Sequence, residues 1–253
     1  MMISTAIHDA DAGPVDSAAY RLGFWVAVLI AVTTAVSFGL ALTAVPISGP
    51  HCPGSCVTYP FTDDVVAGRF PKDYLWMYPA MLLALLFVAL IACLHQLAPA
   101  SRKVFSLIGL ALAVPASTVL LTDYFLQVTV MQPSLVKGHT DGWSMLTQYN
   151  SNGVFIALED LGYLMMGAAL LPVAAVVAGP SRIERAIRWL FRGSFIAVVG
   201  SLVIVSVLYG TDRQDRFEVP ALTVVWSVII VSGLLLAVHF RRALRQQTPL
   251  AGD

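Results

Sequence analysis

Long apolar runs separated by short polar breaks fill the chain from residue 22 to residue 240, each near the length a helix needs to cross a bilayer. About 20 apolar residues at 1.5 Å rise per residue cover a hydrocarbon core about 30 Å thick. The runs are Leu22 to Val45, Tyr74 to Leu97, Val104 to Val128, Phe155 to Ala178, Ser194 to Tyr209 and Val219 to Phe240. They predict an all-α integral membrane protein, a bundle of six transmembrane helices. The fifth run is short unless it continues back through Trp189, Leu190 and Phe191. Residues 1–20 are too acidic and too rich in small side chains for the basic start of a signal peptide, so the first run is expected to stay as a helix. The chain then divides into a polar tail (1–20), a transmembrane domain (21–240) and a basic C-terminal tail (241–253).

Orientation follows from the basic residues, which resist translocation. Arg21, Arg102, Lys103, Arg182, Arg185, Arg188, Arg192, Arg241, Arg242 and Arg245 fall on one side of a six-span topology. Arg69, Lys72, Lys137, Arg213 and Arg216 fall on the other. The imbalance predicts both termini in the cytoplasm of a prokaryotic cell, with the chain in its plasma (inner) membrane. Two longer loops, 46–73 and 129–154, would then face outward, and the connection Gly210 to Glu218 would be brief.

Composition agrees: 58% hydrophobic residues, 12% charged and a mean hydropathy of +0.78, against about 25% charged in soluble domains. The net charge is zero, so no nucleic-acid partner is expected. The expected partners are the lipid bilayer and a small solute. No span carries a Lys for a retinal Schiff base, and the chain has no nucleotide-binding loop, no His-Glu-x-x-His, no Gly-x-Ser-x-Gly and no Arg-rich voltage sensor. No cofactor and no metal are called for.

Chemistry concentrates in spans three and four. Span four opens Phe155, Ile156, Ala157, Leu158, Glu159, Asp160, two carboxylates in an otherwise uncharged run, and ionisable groups at membrane depth are functional pointers. Helical spacing sets Glu159 and Tyr163 on one stripe, turns Asp160 about 100° away, and sets Asp123 and Gln127 on one stripe of span three. Tyr124 lies beside them. The predicted site is therefore Asp123, Tyr124, Gln127, Glu159, Asp160 and Tyr163. Its rim would be Gln148, Asn150 and Asn152 from the preceding loop, with Tyr74 and Tyr78 from the start of span two. Asn150, Ser151 or Asn152 could cap span four, and the dipole at the helix start is the ordinary reason for acids there. Arg69, Lys72 and Lys137 could reach the acids from the loops.

The first outer loop holds His51, Cys52, Pro53, Gly54, Ser55, Cys56. A turn at Pro53 and Gly54 on an oxidising face predicts a local disulfide between Cys52 and Cys56. A redox pair, or a metal held by His51, Cys52, Cys56 and His139, are alternatives. Cys93 reads as a buried thiol. Arg182 to Arg192 alternates basic and apolar residues like an amphipathic helix on anionic headgroups. His95 and His239 read as interfacial histidines, with haem ligation their sharper use. Small residues such as Gly109, Gly162 and Gly167 permit close helix approach.

These patterns predict an outward-facing, carboxylate-rich pocket that binds or transports a small polar or cationic solute, with Glu159 carrying the proton or cation. Two other classes remain open on the residues: a metal-dependent intramembrane hydrolase acting on lipid, and a non-catalytic scaffold or complex subunit.

Overall fold

A computed structural model describes residues 17–44, 69, 71–213 and 215–247. Six long helices dominate: α1 (Ser17–Ala44), α2 (Met77–Gln96), α3 (Lys103–Leu126), α4 (Val154–Val173), α5 (Arg182–Tyr209) and α6 (Asp215–Gln247). All six are long and apolar enough to cross a membrane. The chain is a multi-pass helical membrane protein.

The packing order is α1 between α2 and α6, then α2 on α3, α3 on α4, and α4 on α6. Five helices thus close a ring, while α5 packs on α4 and α6 from outside. Its Val203, Ile204, Val207 and Leu208 are exposed, as lipid-facing side chains are when no water is present to drive them inward. The core is aromatic at its centre: Trp76, Tyr124, Tyr163, Phe155 and Trp226 are all buried. Cys93 is a buried free thiol.

Small residues set the closest helix approach. At Gly109 of α3 an added Cβ would collide with the Val173 side chain and lie 3.0 Å from the Ala169 carbonyl oxygen on α4. Gly162 of α4 lies equally close to Leu120 of α3.

α1 starts earlier than expected, at Ser17, α4 ends at Val173 rather than Ala178, and α6 continues to Gln247 rather than ending at Phe240; three further differences have a physical cause. First, α3 runs on through a π-turn (Gln127–Met131) and a further helical turn (Gln132–Val136), rather than stopping near Val128. In the π-turn the Gln132 N–H bonds the Gln127 carbonyl, five residues back. Pro133 follows, which lacks an N–H and crowds the carbonyl four residues before it, and a widened turn relieves that conflict. Second, Arg182 to Arg192 is not a separate helix lying on the surface. It forms the first turns of a continuous α5, started by a capping box in which Glu184 N–H donates to Ser181 Oγ at 3.3 Å and Ser181 N–H to Glu184 Oε2 at 3.1 Å. Only Gly193 interrupts the run between the basic and apolar parts, too little to break the helix. Third, α6 begins at Asp215, so Glu218 belongs to a helix and not to a connection.

Candidate functional site

The carboxyl cluster forms where α3, α4 and α6 meet. Glu159 lies five residues into α4, about 7.5 Å along its axis, and Asp123 lies near the end of α3 before the π-turn. Both are 2% exposed, and Glu218 of α6 is 9% exposed. Tyr124 donates its hydroxyl to Glu159 Oε1 at 2.6 Å, and the Tyr124 and Tyr163 hydroxyls lie 2.5 Å apart in a further hydrogen bond. Glu218, Asp123 and Asp160 stand within electrostatic reach of the Glu159 carboxyl. Carboxyls this close in a dry site repel one another when all are charged. Asp123 Oδ2 finds no hydrogen-bond partner among the described residues.

Aromatic rings wall this cluster. Trp76 packs edge-on to Tyr124 at 5.1 Å, Tyr124 lies 6.1 Å from Phe155, and Tyr163 lies 6.2 Å from Trp226. Such walls exclude water and strengthen every electrostatic interaction inside them.

The 137–153 loop closes the end of the bundle above. Its buried stretch Thr147, Gln148, Tyr149 is held by Gln127, whose Nε2 donates to the Leu146 carbonyl at 2.5 Å and whose Oε1 accepts from Gln148 N–H at 3.3 Å. The π-turn begins at Gln127 and turns this side chain inward. A second latch sits before α2, where a 3₁₀ turn (Lys72–Tyr74) buries Asp73. Asp73 Oδ2 accepts from Tyr149 Oη at 2.9 Å and pairs with Arg69 at 3.4 Å, while Gln148 Nε2 donates to the Asp73 carbonyl at 3.3 Å.

Burial, more than the neighbouring Tyr74 and Asp73, pushes the Tyr149 hydroxyl well above the usual phenol range. The folded phenol therefore keeps its proton after the unfolded one, near 10, has lost it. Its contribution to stability is complete below about pH 10 and falls as pH rises further, by up to about 1.4 kcal/mol per unit. Tyr149→Phe is expected to reduce that alkaline slope. It also removes a hydrogen bond to a carboxylate, worth about 1.5–3 kcal/mol, so amide exchange around residues 146–149 should rise about tenfold or more at neutral pH, as read by mass spectrometry.

Comparison with protein-family models, curated proteins and solved structures gives no match to the chain. The site must be read from its own chemistry.

The predicted residues separate into three groups. Asp123, Tyr124, Glu159 and Tyr163 come together, and Asp160 lies at their edge, half-buried, as the 100° turn from Glu159 implied. Gln127, Gln148 and Tyr74 belong to the closure above, where Gln127 ties the loop. The third group lies elsewhere. Tyr78 is 52% exposed, because α2 starts only at Met77 and the 3₁₀ turn breaks the i, i+4 register with Tyr74. Asn150 bonds the Ser144 carbonyl, and Asn152 is exposed.

None of the amide or hydroxyl side chains caps α4. The cap is Gly153, with no side-chain bond. A Cβ there would lie 2.9 Å from the Asn150 carbonyl and 3.0 Å from that of Met145, so the tight turn leaves room only for glycine.

Sequence reasoning missed Glu218, Trp226, Trp76 and Asp73. Glu218 stands at the polar edge of its run, close after Arg213 and Arg216, where a charge reads as part of the connection. Among the described residues no three His, Cys, Asp or Glu side chains converge as a metal site. His95 bonds Ser106 at 2.8 Å and His239 faces Glu184 at 3.5 Å, so the two histidines serve different partners. His51, Cys52 and Cys56 lie outside the described residues.

Proposed function

We infer that the protein is a proton-coupled carrier of a small cationic solute, set N-in and C-in in a plasma membrane, with its carboxyl cluster as the exchange site. The observation that carries this reading is the cluster itself: carboxyls from three helices, buried together, with the Tyr124 hydroxyl on Glu159 and one Asp123 oxygen without a hydrogen-bond partner among the described residues. Acids at membrane depth destabilise a bundle unless they hold protons or cations. A site that exchanges one for the other uses that property. The loop closure through Gln127, Asp73 and Tyr149 supports an occluded form, with the outer side shut.

Asp123→Asn separates this reading from a scaffold. The amide removes a buried acid that lacks a full set of partners, so the variant should be as stable as wild type or more stable, by up to about 1–3 kcal/mol. In proteoliposomes with an imposed pH gradient, the carrier reading predicts that uptake of labelled small ammonium ions or monovalent metal cations by wild type is lost in Asp123→Asn. A wild type that moves none of these cations and releases no proton on their addition would leave the scaffold reading in front.

A further inference from the structure

A second site lies at the arginine-rich end of the bundle, away from the carboxyl cluster. A cavity of about 460 Å³ opens there between the start of α3, the chain after α4 and the first turns of α5, within the range of ligand pockets, about 300–1,000 Å³. Arg102, Arg188 and Arg192 line it, and among the described residues no acidic side chain does, the Glu184 carboxylate packing behind Gly179 of the wall. The nearest acid on α5, Glu184, is engaged by the Ser181 N–H at 3.1 Å and by His239 at 3.5 Å.

Two of the three guanidinium groups are fixed in place by backbone. Arg102 donates to the Ala175 carbonyl at 2.8 Å. Arg188 donates to those of Val177 at 2.8 Å and Gly179 at 3.0 Å. These bonds use the Nη1 atoms, and a guanidinium carries five N–H donors in a planar fork, so each keeps donors for a ligand. Arg192 stacks on the exposed Trp189 ring at 5.9 Å. Three cations gathered without an acid favour an anion with several oxygens, and the planar fork suits phosphate.

We propose that this cavity binds the phosphate of an anionic phospholipid headgroup from the leaflet at the arginine-rich end. Two features favour a lipid over free phosphate. The cavity sits where the spans end, the depth at which a bilayer places its headgroups. Its wall includes Phe105, which is exposed and could meet the acyl chains below a headgroup. Basic pockets between transmembrane helices are the usual form of such sites.

The test uses the full-length protein in nanodiscs and native mass spectrometry, comparing phosphatidylglycerol, phosphatidylcholine and inorganic phosphate. Wild type should retain phosphatidylglycerol and not phosphatidylcholine. Arg192→Gln should lower that retention about fivefold to tenfold, the effect of one basic contact at a membrane surface. Arg192 bonds none of the loop carbonyls named above, so its loss should leave the fold intact where Arg188→Gln could not be relied on to do so. Arg245→Gln removes the same charge from the C-terminal end of α6 and should change nothing. Equal losses in Arg192→Gln and Arg245→Gln would overturn the proposal in favour of diffuse charge. No preference for phosphatidylglycerol, or its displacement by inorganic phosphate at millimolar concentration, would also overturn it.

Discussion

Glu159→Gln is expected to leave the bundle folded and to reduce proton-driven cation flux to the level of empty liposomes. The amide oxygen can still accept the Tyr124 hydroxyl, which now lies 2.6 Å from Glu159 Oε1, so the Tyr124–Tyr163 chain keeps its anchor and stability should change by about 1 kcal/mol or less. What the amide cannot do is gain or lose a proton. Its neighbour Glu218 would face an NH₂ group that has no proton to exchange. Loss of flux with an unchanged melting temperature would assign the exchange to Glu159. Unchanged flux would remove Glu159 from the mechanism and with it the carrier reading as stated.

Gly109→Leu is expected to produce the largest loss of stability. The side chain would enter the α3–α4 contact, where the obstacles are the Val173 side chain and the backbone oxygen of Ala169, 3.0 Å from the ideal Cβ. A side chain can turn aside, but a carbonyl within a helix cannot. Overpacking in a well-filled core destabilises by about 1–3 kcal/mol, and here the two helices must separate, which also disturbs Asp123 and Glu159 further along the same contact. Thermal melting in detergent should show a fall of about 2–4 °C for each kcal/mol lost. Gly193→Leu is the control, since nothing lies within 4 Å of a Cβ there. Similar melting temperatures for the two variants would refute the close packing of α3 on α4.

Much of this was legible in the pattern of apolar runs. Six spans of about the right length came directly from it, because a bilayer imposes a length on every crossing helix. The α5 boundary was harder: Arg182 to Arg192 reads as a surface helix by charge alone, and nothing in that pattern shows that the helix continues unbroken to Tyr209. Glu159, Tyr163, Asp123 and Tyr124 could be found because acids in apolar runs stand out and helical spacing aligns their neighbours. Glu218 could not be found the same way, since it stands at the edge of its run beside Arg213 and Arg216, where a charge reads as loop. The closure above the cluster depends on Gln127 and Asp73 reaching a loop about 20 and 75 residues away, and spacing within one helix carries no such information. Tyr78 shows the converse. Its i, i+4 relation to Tyr74 held in the sequence and failed in three dimensions, because the helix starts between them.

The most direct test of the central claim is infrared difference spectroscopy of the purified protein across a pH titration, for wild type, Glu159→Gln and Glu218→Gln. The carrier account predicts a protonated-carboxyl band in wild type at neutral pH that changes in intensity or frequency in both variants, because carboxyls buried side by side hold a proton among them rather than all staying charged. A wild-type spectrum without that band, or a band unchanged by both substitutions, would contradict it.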